Sequence, residues 1–142
     1  MPRFKYDAFI SYRHKDPDQS WVKNILIPRL DAEGLKVLVD YRGFRPGSTI
    51  LTEMVQGVMQ SKRTVGILTP AYLESEFTDL ESIMAEHLGM EKRQRRFLAI
   101  MRENCNPRLS IRIKIWINMT NDADFDEKFD QLAAELRRPP GK

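Results

Sequence analysis

YDAFISYRHKDPDQS, residues 6–20, is the stretch whose reading decides the fold. Its first seven residues form a short apolar run that stops at a polar turn, the pattern of a buried strand. Asp16-Pro17 marks a turn, and Asp18 or Ser20 supplies a helix cap. Val22, Ile25, Leu26 and Leu30 then recur at helical spacing. Pro28 interrupts that helix and predicts a kink or restart, and Gly34 ends it. The stretch therefore reads strand, turn, helix.

Downstream the pattern repeats. Residues 36–39 read as a second strand, followed by a loop over residues 40–47, DYRGFRPG. Ser48 or Thr49 caps the next helix, with Glu53 in capping-box reach and Ile50, Met54 and Val58 along one stripe. Residues 64–68 predict a third strand closed by Thr69-Pro70. A helix follows, with Leu80, Ile83, Met84, His87 and Leu88 on one face, and residues 96–101 predict a fourth strand. Ile111, Ile113, Ile115 and Ile117 alternate with Arg112, Lys114 and Trp116, which predicts a fifth strand at the sheet edge. Phe125, Phe129, Leu132, Ala133 and Leu136 define a last helix. Alternating strands and helices predict an α/β fold: a flavodoxin-like three-layer sandwich with a five-stranded, mostly parallel sheet in the order 2-1-3-4-5. Residues 1–138 form one domain, and residues 139–142 read as the start of a linker to further sequence.

Composition narrows the function. The chain has 142 residues, enough for one domain. Its single cysteine, Cys105, cannot form an internal disulfide, which favours a reducing compartment. No apolar run reaches the ~18 residues of a membrane span, and MPRFKYD lacks a signal peptide's apolar region. The expected location is the cytoplasm. Lys and Arg total 23 against 20 Asp and Glu, a net charge of +3 that does not demand a nucleic-acid partner. Neither a dinucleotide fingerprint nor a phosphate loop is present, nor metal-ligand spacing, nor a nucleophile elbow.

A doubly wound sheet binds ligands beyond the carboxyl ends of its strands, at the switch between strands 1 and 3. That address predicts a wall of Ser11, Tyr12 and Arg13, the loop from Asp40, and the segment from Thr69 to Glu81. Arg13, Arg42 and Arg45 there can meet phosphates. Tyr12, Phe44 and Phe77 can stack on a flat ring. Asp40, Glu74, Glu76, Asp79 and Glu81 supply carboxylates. Such a wall suits a nucleotide with its ribose; ordinary loop charges and edge aromatics answer the same pattern.

Three stretches carry a family likeness. Asp7-Ala8-Phe9-Ile10-Ser11-Tyr12-Arg13 resembles the opening box of Toll/interleukin-1 receptor (TIR) domains, D-x-F-I-S-Y. Asp40-Tyr41-Arg42-Gly43-Phe44-Arg45-Pro46-Gly47 resembles their second box, which ends in Pro-Gly. Ser75-Glu76-Phe77-Thr78-Asp79-Leu80-Glu81 resembles the third, S-x-W-C-x-x-E. The likeness spans nearly the whole chain, with Gly43 where the family usually has Asp and Phe77-Thr78 where it has Trp-Cys. Members are either association modules or enzymes that split NAD⁺ into nicotinamide and ADP-ribose or a cyclic isomer, and the likeness is greatest to the bacterial NAD-cleaving type. In the enzymes the glutamate of the third box is catalytic, so the resemblance places that role on Glu81. It implies that Ser11, Tyr12, Arg13, Asp40, Arg42, Phe44 and Phe77 contact the substrate NAD⁺, with no further cofactor and no metal. It implies partners too: other TIR domains in a homo-oligomer or filament, and a fused sensor or effector domain in an immune or signalling protein, such as one in antiphage defence.

One carboxylate suits this chemistry. Glycosidases generally need a second acid to protonate the leaving oxygen. Nicotinamide departs from NAD⁺ neutral and needs no proton. What remains is the cation developing on the ribose, which a preorganised carboxylate can stabilise by ~10²–10³ in rate.

Overall fold

The computed structural model describes residues 4–112 and 115–139, the side chains at 90, 91, 94 and 110 excepted. Five strands, β1 (Tyr6–Ser11), β2 (Val37–Leu38), β3 (Ser61–Leu68), β4 (Phe97–Met101) and β5 (Ile117–Asn118), form one sheet in the order β2-β1-β3-β4-β5. All four pairings are parallel, with Phe9 opposite both Leu38 and Thr64, and Gly66 opposite Ala99. The predicted order and class hold. Crossovers put helices on both faces, which is why β1, β4 and the second half of β3, Val65–Leu68, are nearly continuous apolar runs.

Side-chain alternation sorts the core into two halves. Ala8, Ile10, Tyr12, Val65, Ile67 and Ile100 face one way, against α1 (Asp18–Trp21), α2 (Ile27–Ala32) and α9 (Phe125–Arg137). Phe9, Leu38, Leu68, Phe97, Ala99 and Met101 face the other way. They meet the helices α4 (Ile50–Gln60), α5 (Pro70–Leu73) and α6 (Glu76–His87).

Pro28 does not break its helix. A π-helical stretch over Val22–Leu26 joins α1 to α2, and the Ile27 N–H reaches back five residues to the Val22 carbonyl. The wider turn removes the clash that a proline ring makes with the carbonyl four residues earlier. Thr49 is the cap of α4: its hydroxyl accepts from the Thr52 N–H at 3.0 Å. Glu53 does not reach back to complete a capping box. It turns to the preceding loop, accepting from the Arg45 N–H at 3.1 Å. The helix expected after Thr69-Pro70 is two helices, broken at Ser75, whose backbone is not helical. Leu80, Ile83, Met84 and Leu88 are buried as their stripe predicts, and His87 lies on the exposed rim.

The fifth strand is a correction. Residues 109–112 form a helical turn, α8 (Leu109–Arg112), and β5 is only two residues long. Ile111 is buried while Ile115 is 93% exposed, so the isoleucines do not share a face. Alternation alone does not make a strand. A partner must be within reach, and β4 offers β5 only Ile100 and Met101. Ile113 and Lys114 lie outside the described residues, as does the tail beyond residue 139. A short helix, α7 (Met90–Arg96), leads straight into β4 and carries Arg93, Arg95 and Arg96 in its last turn.

Candidate functional site

A cleft of about 170 Å³ opens beyond the carboxyl ends of the strands, between the segments that follow β1, β2 and β3. Phe9, Ile10 and Ser11 of β1 form its floor; Tyr12, His14, Asp40, Phe44, Glu76 and Asp79 line its sides, and Ile50 and Met54 of α4 its apolar rim. This is the position the switch-point rule predicts.

The polar side of the cleft is a connected network. The Tyr12 hydroxyl donates to Asp40 Oδ1 at 2.7 Å. The His14 Nε2 stands 3.3 Å from Asp40 Oδ2, and its Nδ1 3.7 Å from Glu76 Oε2. The His14 backbone N–H donates to the same Glu76 oxygen at 2.9 Å, and the Ser75 hydroxyl donates to the other. Asp40 and Glu76 thus flank one imidazole, whose edge also meets the Tyr12 ring at 4.8 Å. Beneath them the buried Tyr72 hydroxyl donates to Ser11 Oγ at 2.7 Å. Burial, and then the bond to Asp40, push the Tyr12 phenol far above its usual range, so it stays a donor at any physiological pH. Burial pushes the Glu76 carboxyl up, but the bonds from Ser75 and His14 outweigh it and the net shift is downward. Glu76 is therefore an anion held in place by donors, not a proton donor.

The second-box loop divides three ways. Its first turn, α3 (Asp40–Gly43), carries Arg42 away from the cleft, where both terminal nitrogens bind Asp31 at 2.8 Å. Phe44 turns inward and stacks on Phe9, with ring centroids 6.0 Å apart. Arg45 is largely exposed, and its backbone N–H is fixed by Glu53. Gly47 has φ +89°, a conformation that glycine supplies without strain and that turns the chain into α4.

Of the residues expected to contact a ligand, Ser11, Tyr12, Asp40 and Phe44 come together in the cleft wall. Arg42 points to Asp31 instead, and Arg13 is half-buried beside the lining without belonging to it. Phe77 is 2% exposed, with Tyr72 at 5.7 Å and Phe97 at 6.0 Å, so its ring supports α6 from inside the core. Glu81 is partly buried on α6 and forms an ion pair with Arg108. It lies two residues, roughly 200° of helical rotation, past Asp79, and is not among the cleft-lining residues described. His14 is the functional candidate that sequence reasoning missed. The signal was available, because it directly follows the first box in the segment the switch-point rule nominates.

The TIR domain family matches residues 8–133. The chain belongs to the TIR domain family. Human Toll-like receptor 1 is 34% identical over 83 residues, covering 58% of this chain and 10% of the receptor. Protein toll of Drosophila melanogaster is 28% identical over 145 aligned positions, covering 96% of this chain and 13% of that protein. This TIR domain thus spans about a tenth of the length of those relatives. Among solved structures, the TIR domain of the Toll-related receptor TRR-2 from Hydra magnipapillata superposes with a TM-score of 0.79 at 19% identity, over 94% of this chain and all of that one. That likeness establishes the fold. No helix among the described residues is long and apolar enough to cross a membrane.

Proposed function

We propose that this TIR domain cleaves the nicotinamide–ribose bond of NAD⁺ when assembled with other TIR domains, releasing nicotinamide and ADP-ribose or a cyclic isomer. The observation that carries the reading is the cleft: the stacked rings of Phe9 in its floor and Phe44 in its side, beside the carboxylates of Asp40, Glu76 and Asp79. A flat ring suits the floor, and a ribose with a developing positive charge suits the acids. The cleft's size fits part of a dinucleotide. At about 170 Å³ it falls below the ~300–1,000 Å³ typical of sites that enclose a whole ligand. One ring and its sugar enter, and the remaining phosphates and adenosine lie outside, in solvent or against a neighbouring domain. The catalytic role stays with Glu81, which swings from Arg108 to the ribose in the assembled state. The nicotinamide leaves with the bond's electron pair, and the ribosyl cation is captured by water or by the adenine of the same molecule.

A second reading has its own support. Ile50 and Leu51, at the first turn of α4, are 68% and 60% exposed beside the cleft. With the neighbouring loop they make an apolar, basic surface suited to docking another TIR domain without chemistry, in signalling or in mimicry of host adaptors. NAD⁺ consumption separates the two. The domain is tethered or crowded until sedimentation shows assembly, and nicotinamide is followed by chromatography in wild type and Glu81→Ala. Release in wild type alone is the expected result. No release from a demonstrably assembled sample refutes the enzyme and leaves the docking module. Release that survives Glu81→Ala but disappears in Glu76→Ala moves the catalytic role to the cleft.

A further inference from the structure

Toward the amino-terminal half of β3, on the face that meets α9, two polar atoms, Arg63 Nη1 and Ser61 Oγ, are buried without a hydrogen bond. Arg63 has only 5% of its side chain exposed. Its Nη2 makes two long contacts, 3.4 Å to Glu135 Oε2 and 3.3 Å to the Pro139 carbonyl, and its Nη1 is buried with no hydrogen bond. Two residues earlier, on the same face of the strand, the Ser61 hydroxyl is also buried and unbonded. The nearby acid is shared, because Glu135 also accepts from Arg138 at 3.0 Å. A second cation stands close by: Arg96 donates to the Val58 and Ser61 carbonyls at 2.7 Å, and its pKa is lowered by burial and then by the charge of Arg63. A buried guanidinium costs several kcal/mol of desolvation unless charge and hydrogen bonds offset it. Here the Glu135 carboxylate is divided between Arg63 and Arg138, and native interiors leave few buried donors such as Arg63 Nη1 unmet.

A cavity of about 420 Å³ opens on this spot, lined by Arg63, Arg95, Leu98, Ile117, Gln131 and Glu135 among others. It lies within the size range of small-molecule sites, whereas the cleft does not. An oxyanion accepts from a guanidinium by paired N–H bonds. The flanking Leu98 and Ile117 side chains offer an apolar wall, which a bare ion does not use. We infer that this cavity is a second binding site, distinct from the cleft, for a phosphate ester with a flat or aliphatic body, of the nucleoside monophosphate class. The phosphate sits on Arg63 and the body lies along Leu98 and Ile117. Gln131 on α9 faces the body with a neutral donor and acceptor.

Calorimetric titration with AMP, adenosine and inorganic phosphate, paired with amide shifts by NMR, tests this. AMP is expected to bind saturably and to shift the amides of Leu98, Ile117 and Gln131. Adenosine is expected not to bind, and phosphate at least about tenfold more weakly than AMP. Arg63→Met, which keeps the volume and removes the charge, is expected to weaken AMP by about 10- to 100-fold, the range of a charge-assisted hydrogen bond. Should Arg63→Met disturb folding, Gln131→Glu places a negative charge on the exposed wall and is expected to weaken AMP about five- to tenfold. No saturable AMP binding at millimolar concentration overturns the inference. So does unchanged affinity in a folded Arg63→Met and in Gln131→Glu, equal binding of phosphate and AMP, or shifts confined to Ser11, Asp40 and Glu76. None of these readouts depends on NAD⁺ cleavage, so the two sites stand or fall separately.

Discussion

Replacing Gly43 by alanine puts a methyl group where Leu38 Cδ1 already lies, with Leu38 Cγ at 3.4 Å. Leu38 has little freedom to turn away. It is 5% exposed, and its other methyl carbon, Cδ2, stands 3.2 Å from where a side chain on Gly57 would begin. One leucine therefore fills the space over two glycines. Overpacking of this kind costs about 1–3 kcal/mol. The glycine-to-alanine gain of up to ~1 kcal/mol in a helix interior applies weakly, because Gly43 ends a four-residue helix. The net expectation is a loss of about 1–2 kcal/mol, or a fall in Tm of roughly 3–10 °C for a domain of this size. Leu38→Val removes the clashing methyl carbon at a cost of about 1 kcal/mol. In that background Gly43→Ala should be nearly neutral, giving a coupling of about 1–2 kcal/mol in a double-mutant cycle read by urea denaturation. Additivity within ~0.5 kcal/mol would refute the reasoning.

Thr69→Val should destabilise by about 2–3 kcal/mol in urea, because the buried Thr69 hydroxyl donates to the buried Asp18 carboxylate at 2.7 Å and also accepts from the Tyr72 N–H. The Arg42 guanidinium holds the Asp31 carboxyl below the usual carboxylate range. Its stabilisation is therefore present above the unfolded pKa of about 3.9 and disappears as pH falls through the lower folded value. For an exposed pair, Asp31→Asn should cost about 0.5 kcal/mol near neutrality and nothing once pH is well below that folded value, measured by urea midpoints across pH. If Glu81 is the catalytic carboxylate, Arg108→Gln should raise nicotinamide release by the assembled domain, since it frees the acid from its ion pair. An unchanged or lower rate would show that the pair does not restrain Glu81.

Much of the fold was legible because its strands are short apolar runs punctuated by turn residues, and two faces of burial leave no ambiguity about what a parallel sheet requires. The edge was not legible. Ile111 to Ile117 alternate well, yet pairing depends on how far β4 extends, which no local pattern records. In the site, position along the chain predicted which segments meet but not where side chains turn. Tyr12 and Asp40 converge because they follow β1 and β2 within two residues, and Phe44 joins them because the single turn of α3 returns the chain to Phe9. Arg42 sits two residues past Asp40 on a helical turn, which rotates it by roughly 200° to Asp31. Phe77 read as a ligand-facing ring, but an aromatic at the start of a helix that crosses the sheet has Phe97 directly beneath it. Glu81 and Arg108 are 27 residues apart, and nothing in either segment announces their contact.

The two-residue lengths of β2 and β5 bear on how copies of this domain can join. A long open sheet edge is a template onto which other chains add strands, the route to amyloid. Here β2 pairs at two positions only, and its Val37 carbonyl already has the Arg42 guanidinium at 3.4 Å. Among the described residues β5 is equally brief. Two copies of this domain meeting edge to edge are thereby denied a long strand ladder to extend, the least reversible way of gathering. Contacts in the assembly proposed above would fall to loops and helix faces, where side chains rather than a backbone ladder set geometry and lifetime.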